Sequence, residues 1–185
     1  MLSAFDLTHN FVVSYSYEPP FDKIFAANRV TSGWTITGIT RYCTGLPVTL
    51  NEQDDNSLLG THFTGPTGSV VDAPNFTPGP LNSSNPRSGR PYFNISLFTR
   101  EATGQTGNAN RRFFHGPGIA NGDFCVLKNV RLTECKSLQF RAKFFNIFNH
   151  AQCNLPNGDI ISSDFGKIHS ARDPRIGQLG MKFLF

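Results

Sequence analysis

Period-two alternation at the end of the chain constrains its fold more than any other feature. In Gln178-Leu179-Gly180-Met181-Lys182-Phe183-Leu184-Phe185, Leu179, Met181, Phe183 and Phe185 fall on one side of an extended strand. Gln178, Gly180, Lys182 and Leu184 fall on the other. A soluble domain gains little from an apolar terminal strand that can fray. A membrane β-barrel needs one, because its last strand pairs with its first to close the wall.

The same alternation recurs upstream. Leu7, His9, Phe11, Val13, Tyr15 and Tyr17 alternate with Thr8, Asn10, Val12, Ser14 and Ser16, a length that spans a bilayer at barrel tilt. Its two tyrosines lie at one end, where an aromatic girdle meets the membrane surface. From Gly33 to Thr44, Trp34, Ile36, Gly38, Thr40 and Tyr42 alternate with Thr35, Thr37, Ile39 and Arg41. A hairpin follows later: Phe124–Leu132, a turn at Thr133-Glu134-Cys135-Lys136, then Leu138, Phe140, Ala142 and Phe144 alternating with Gln139, Arg141, Lys143 and Phe145. Lys128 interrupts one face of its first strand. Arg141 and Lys143 in succession suit a watery lumen and not a dry core. The last strand is expected over Arg175–Phe185.

Between these strands the chain changes character. Asn51–Gly122 is rich in Asn, Gly, Pro, Ser and Thr, with apolar islands at Phe76, Tyr92-Phe93 and Leu97-Phe98. A soluble domain seldom carries about 70 residues of loop, whereas outer-membrane barrels have long extracellular loops and short periplasmic turns. Asn154–Asp173 reads as a second, shorter loop. The composition agrees. Of 185 residues, 18 are Phe, 17 Gly and 12 Pro, while charged residues are only 16%, a balance that favours an all-β fold over a helical one. The expected architecture is therefore an antiparallel curved sheet, open when isolated, with long loops at one end. Phe11, Val13, Phe140, Phe144, Met181 and Phe183 should share one face of it.

Several function classes lose support. The net charge of +4 is small and nowhere clustered beyond Arg111-Arg112, so a nucleic-acid footprint is not expected. Cys43, Cys125, Cys135 and Cys153 form no zinc spacing, and they read as isolated small apolar residues. His9, His62, His115, His150 and His169 have no metal-ligand neighbours in sequence. Asn51, Glu52, Asp54, Asp55 and Asn56 form an acidic loop cluster with oxygens that suit calcium, but it lacks the ordered alternation of an EF-hand. Gly104-Gln105-Thr106-Gly107 is no phosphate loop, and no nucleophile motif is present. No catalytic residue, resident metal or cofactor is expected. No secretory signal opens the chain and no apolar run reaches about 18 residues. These features predict the C-terminal part of a longer outer-membrane protein.

Particular blocks carry a resemblance. Asn28-Arg29-Val30-Thr31-Ser32-Gly33-Trp34-Thr35-Ile36-Thr37-Gly38-Ile39 resembles a late strand of TonB-dependent outer-membrane receptors, closest to the Oar-like group with a carboxypeptidase-regulatory-like front domain. Asn108–Phe113, Phe140–His150 with its Phe-Asn-Ile-Phe-Asn-His run, and Asp173–Gln178 look like C-terminal blocks of that group. Gln178, Gly180, Phe183 and Phe185 resemble the β-signal that the barrel-assembly machinery reads. The resemblance spans nearly all of 1–185, with a loop at 51–122 and a terminal strand at 175–185. It implies a place in the outer membrane of a Gram-negative bacterium, lipid around the wall, and active uptake of a ligand such as a ferric chelate or oligosaccharide. Such receptors resemble barrels of roughly 22 strands around a plug, and TonB engages regions N-terminal to these blocks.

Loop aromatics and arginines are the candidate ligand contacts. Tyr92, Phe93, Arg111, Arg112, Phe113 and Phe114 suit an anionic or ring-bearing ligand, or else they fold the loop onto itself. A different function class also fits part of the pattern: a secreted all-β binding module, a lectin-like sandwich using the long loop. Asn75, Asn82 and Asn94 then stand in glycosylation sequences. A sandwich would bury one strand face in a dry core, which Arg141 and Lys143 oppose.

Overall fold

The computed structural model describes residues 2–26, 28–59 and 72–185. The chain divides into a sheet unit (9–43, 119–152 and 172–185) and a loop unit (1–8, 44–118 and 153–171).

The sheet unit holds five antiparallel strands. They are β1 (Asn10–Tyr17), β2 (Trp34–Cys43), β5 (Ile119–Arg131), β6 (Ser137–Phe145) and β7 (Ile176–Leu184), hydrogen-bonded in the order β1-β2-β5-β6-β7. A short helix, α1 (Phe21–Ile24), lies between β1 and β2. Among the described residues β1 and β7 each pair with one neighbour, so the sheet is open at both edges. Cys43 is opposite Ile119, and Phe145 is opposite Ile176. Both long connections therefore leave from the same strand ends.

Register sorts the side chains into two faces. Phe11 is opposite Tyr42, Tyr15 opposite Gly38 and Tyr17 opposite Ile36; Gly38 continues to Phe124, Phe144 and Gly177. Phe140 stands between Lys128 and Met181, and Leu138 between Val130 and Phe183. Phe11, Val13, Phe140, Phe144, Met181 and Phe183 accordingly share one face, as the alternation predicts. This face is not covered: Phe11 is 63%, Leu179 82% and Met181 69% exposed. Burying such side chains is worth about 1.5–3 kcal/mol each, so a face this apolar calls for an apolar environment. The sandwich reading is corrected here. A sandwich would close this face beneath a second sheet, and it stands exposed.

Gly38 has a specific role on that face. The Tyr15 ring lies where a Cβ on Gly38 would stand, so the missing side chain lets an aromatic ring cross its partner strand.

The loop unit folds around its own core. Val48 and Leu50 are fully buried, and Phe93, Phe98 and Phe165 nearly so. The three rings meet edge to face, with centroids 5.6, 5.3 and 5.8 Å apart, the arrangement that ring quadrupoles favour. Short strands β3 (Asn75–Phe76) and β4 (Phe98–Thr99) pair here, beside a 3-10 turn at Ile95–Leu97 capped by Asn94. The islands Phe76, Tyr92-Phe93 and Leu97-Phe98 are thus the pieces of one core.

Some boundaries shift. The expected long loop, 51–122, ends earlier because β5 begins at Ile119. Gly118, Asn121 and Gly122 read as turn formers, yet the Phe148 ring packs over Gly122 and the Ile147 amide donates to its carbonyl. The first strand starts at Asn10, not Leu7, and the last covers Ile176–Leu184 within the expected 175–185.

Candidate functional site

The second face of the sheet carries most of the charged strand residues, with Val12, Ile39, Leu127, Phe145, Ile176 and Leu184 as apolar residues among them. Arg41, Asp123, Arg141, Lys143, Gln139, Gln178 and Lys182 occupy it by register. Arg131 joins them at the end of β5. Asp123 is the one acidic residue of the strands on this face, and its carboxylate accepts from the Asn121 side chain and the Asn146 amide, both at 3.0 Å. The wall is therefore cationic. Arg141, Lys143, Gln178, Gly180 and Lys182 line a cavity of about 240 Å³ between β6 and β7. No atom stands near the missing Cβ of Gly180, which leaves an opening beside Arg141. Arg41, Asn121, Asp123 and Arg172 line a second cavity, of about 410 Å³, toward the end of the long connections.

Among the described residues Lys128 is the one charged strand residue outside this face. It stands on the apolar face, and its ammonium donates to the carbonyls of Val30, at 2.7 Å, and Ser32 while lying 4.8 Å from the Trp34 ring centre. Trp34 Nε1 donates to the same Val30 carbonyl at 2.8 Å. Lys128 thus reaches the strand end, where backbone acceptors and an aromatic face replace its water.

The Phe-Asn-Ile-Phe-Asn-His block ends β6 as a tight cap. Asn146 and Asn149 take positive φ values of 49° and 50°, conformations that Asn tolerates better than most residues. Asn146 is buried, and its side chain accepts from the His150 amide and donates to the His150 carbonyl, both at 3.0 Å. Asn149 Oδ1 accepts from the Arg175 amide at 3.1 Å, just before β7. Gln152, also buried, accepts from the Ala120 amide at 2.9 Å and donates to the Ala120 carbonyl. The block holds the ends of β5, β6 and β7 together.

The loop residues named as ligand contacts lie within the loop unit. Phe93 is 2% exposed, and Tyr92, Phe113 and Phe114 pack against its core. Phe113 and Phe114 also meet each other at 5.1 Å. Arg112 Nε donates to Thr49 Oγ1 at 2.9 Å, and Arg111 Nε is buried with no acceptor among the described residues. Of the residues expected to form an assembly signal, Gln178 and Gly180 lie on the polar face, with Phe183 on the apolar face and Phe185 beyond β7, its ring 6.0 Å from that of Phe183.

Sequence reasoning missed a buried acidic site. Glu52 is fully buried and Glu101 is 4% exposed. Arg100 Nε donates to Glu52 Oε1 at 2.6 Å, and its Nη2 donates to Asp54 at 3.0 Å. Burial, together with the Glu101 carboxyl beside it, pushes Glu52 up to about 7 despite Arg100. Burial also raises Asp159. The acidic residues were visible in the sequence, but Glu101 lies 49 positions from Glu52 and nothing local announces the pairing. Asp55 accepts from the Leu59 amide at 3.0 Å, and Asn56 donates to the Glu101 carbonyl at 2.7 Å. Among the described residues no three His, Cys, Asp or Glu side chains gather as a metal group. The four cysteines are unbonded, with Cys125 opposite Lys143 and Cys135 in the turn after β5.

No curated protein and no solved structure matches the chain. The sequence profile of the outer membrane beta barrel domain matches residues 1–178, ending within β7. A two-faced antiparallel sheet agrees with that family, and β2, β5, β6 and β7, with 10, 13, 9 and 9 residues, are long enough to span a bilayer. The chain belongs to the outer membrane beta barrel domain family, and its place is the outer membrane.

Proposed function

We propose that this chain is the C-terminal barrel segment of a TonB-dependent receptor that takes up a ligand actively, such as a ferric chelate or an oligosaccharide. The observation that carries this reading is the cationic polar wall behind a lipid-facing apolar one. Arg41, Arg141, Lys143 and Lys182 would line the path of an anionic cargo. The resemblance of the Phe140–His150 and Asp173–Gln178 blocks supplies the family level. On this reading transport belongs to a complete barrel of which this sheet is one part. The strand ends at Cys43, Ile119, Phe145 and Ile176 face outward, and the turn after β5 faces the periplasm. Lipid surrounds the apolar face. The barrel-assembly machinery reads Gln178, Gly180, Phe183 and Phe185, and TonB acts through regions N-terminal to the sheet. No residue is assigned a catalytic role.

The test is energy dependence. Cells carrying the natural gene should accumulate a ferric chelate or an oligosaccharide taken from a panel, and lose most of that uptake on adding a protonophore or deleting TonB. Uptake insensitive to both would mean a passive pore and would contradict the reading.

A further inference from the structure

Glu52 ends a buried row. Val48, Leu50 and Glu52 are each fully buried, and the amides of Val48 and Leu50 donate to the carbonyls of Phe114 and Arg111 at 3.0 and 2.9 Å. The Glu52 amide donates to the Asp72 carbonyl at 3.2 Å. At the end of this row the Glu101 carboxyl lies within hydrogen-bonding reach of the Glu52 carboxyl. Among the described residues Glu52 Oε1 has the Arg100 donor, and Glu52 Oε2 and both Glu101 oxygens are buried without one.

Two ionised carboxylates in this position would set acceptor against acceptor in a buried place, which is costly twice over. Arg100 offsets one charge and leaves the other. The remaining charged groups nearby do not help. Asp54 already takes Arg100 Nη2, Asp72 accepts from Ser57 at 2.6 Å, and Asp159, beside Asn51, adds negative charge. A proton resolves both problems, since it supplies the missing donor and removes the second charge.

We propose that Glu52 keeps a proton, which it donates to the Glu101 carboxyl, and that this contact is a pH-sensitive latch closing the loop unit. The closed unit holds the proton and the opened unit releases it to solvent. Its sign follows from linkage. The closed form binds the proton more tightly than an unfolded carboxyl does, so the stabilisation is complete below about pH 4.5 and is lost as the pH rises to about 7. Each pH unit in that window changes the opening equilibrium by up to about tenfold.

The test measures hydrogen exchange of the Val48, Leu50 and Glu52 amides in the full chain in detergent micelles, corrected for intrinsic base catalysis. Between pH 5 and pH 8 their protection should fall at least tenfold. Glu101→Gln supplies a permanent donor and no charge, and should keep these amides protected at both values. Unchanged protection in the wild type overturns the proposal. So does protection at pH 8 that calcium restores and a chelator removes, since a cation would then occupy the pair. Should Glu101→Gln fail to fold, carboxyl infrared titration of the wild type decides. One buried protonated carboxyl present at pH 6 and lost by pH 8 supports the retained proton, and its absence refutes it.

Discussion

Phe93 and Phe183 are the same residue type under opposite demands. Phe93 is buried among Phe98, Phe114 and Phe165, so Phe93→Ala should cost the loop unit about 3–5 kcal/mol. Chemical unfolding followed by hydrogen exchange at loop amides measures it, and a cost below 1 kcal/mol would mean that the ring is not packed as described. Phe183 is 49% exposed on the apolar face of β7, so Phe183→Ala should leave those amides unchanged. Arg111 separates two roles for the loop. Its buried Nε has no acceptor among the described residues, and an unsatisfied buried donor costs about 1–3 kcal/mol. Arg111→Met should therefore hold or raise the stability of the loop unit. A clear loss would show that the guanidinium is needed for the fold.

The strands were legible because lipid and water impose an alternation with a few departures, such as Lys128, Ile39 and Leu127, and register preserves it across five strands. The Asn51–Gly122 stretch was legible only as a loop. Its core joins Val48 and Leu50 to Phe93, Phe98 and Phe165, and contacts so far apart in sequence leave no local period to read. The same distance hid the Glu52–Glu101 contact. Ile119–Gly122 read as loop because its strand character comes from pairing with Thr40–Cys43 of β2, far away in sequence. The Phe-Asn-Ile-Phe-Asn-His block was noticed as a resemblance, and its physical reason emerged from the φ values of Asn146 and Asn149. Asn146→Val should destabilise the sheet unit by about 2–4 kcal/mol, since it adds a β-branched residue at positive φ and removes bonds to His150. Asn146→Gly keeps the backbone and should cost less, as urea unfolding in micelles would show. On β7, Leu179→Arg near the strand centre should cost about 2–4 kcal/mol in lipid, while Lys182→Gln on the polar face should cost little. Equal costs at the two positions would contradict the assignment of faces.

The molecule as a whole is governed by which solvent meets which surface. Among the described residues the sheet unit has an exposed apolar face, an opposite face rich in cations, and single-neighbour strands at both edges. The loop unit keeps its own dry core. Membership of the outer membrane beta barrel domain family gives the apolar face its solvent. The most direct test of this account is a spin-label scan of β7 in lipid vesicles, in a background where Cys43, Cys125, Cys135 and Cys153 are replaced by alanine. Labels at Leu179, Met181 and Phe183 should be accessible to dissolved oxygen and shielded from a water-soluble nickel chelate, with labels at Gln178, Gly180 and Lys182 giving the reverse. Accessibility without a period of two, or with the nickel chelate reaching Leu179, Met181 and Phe183, would contradict it.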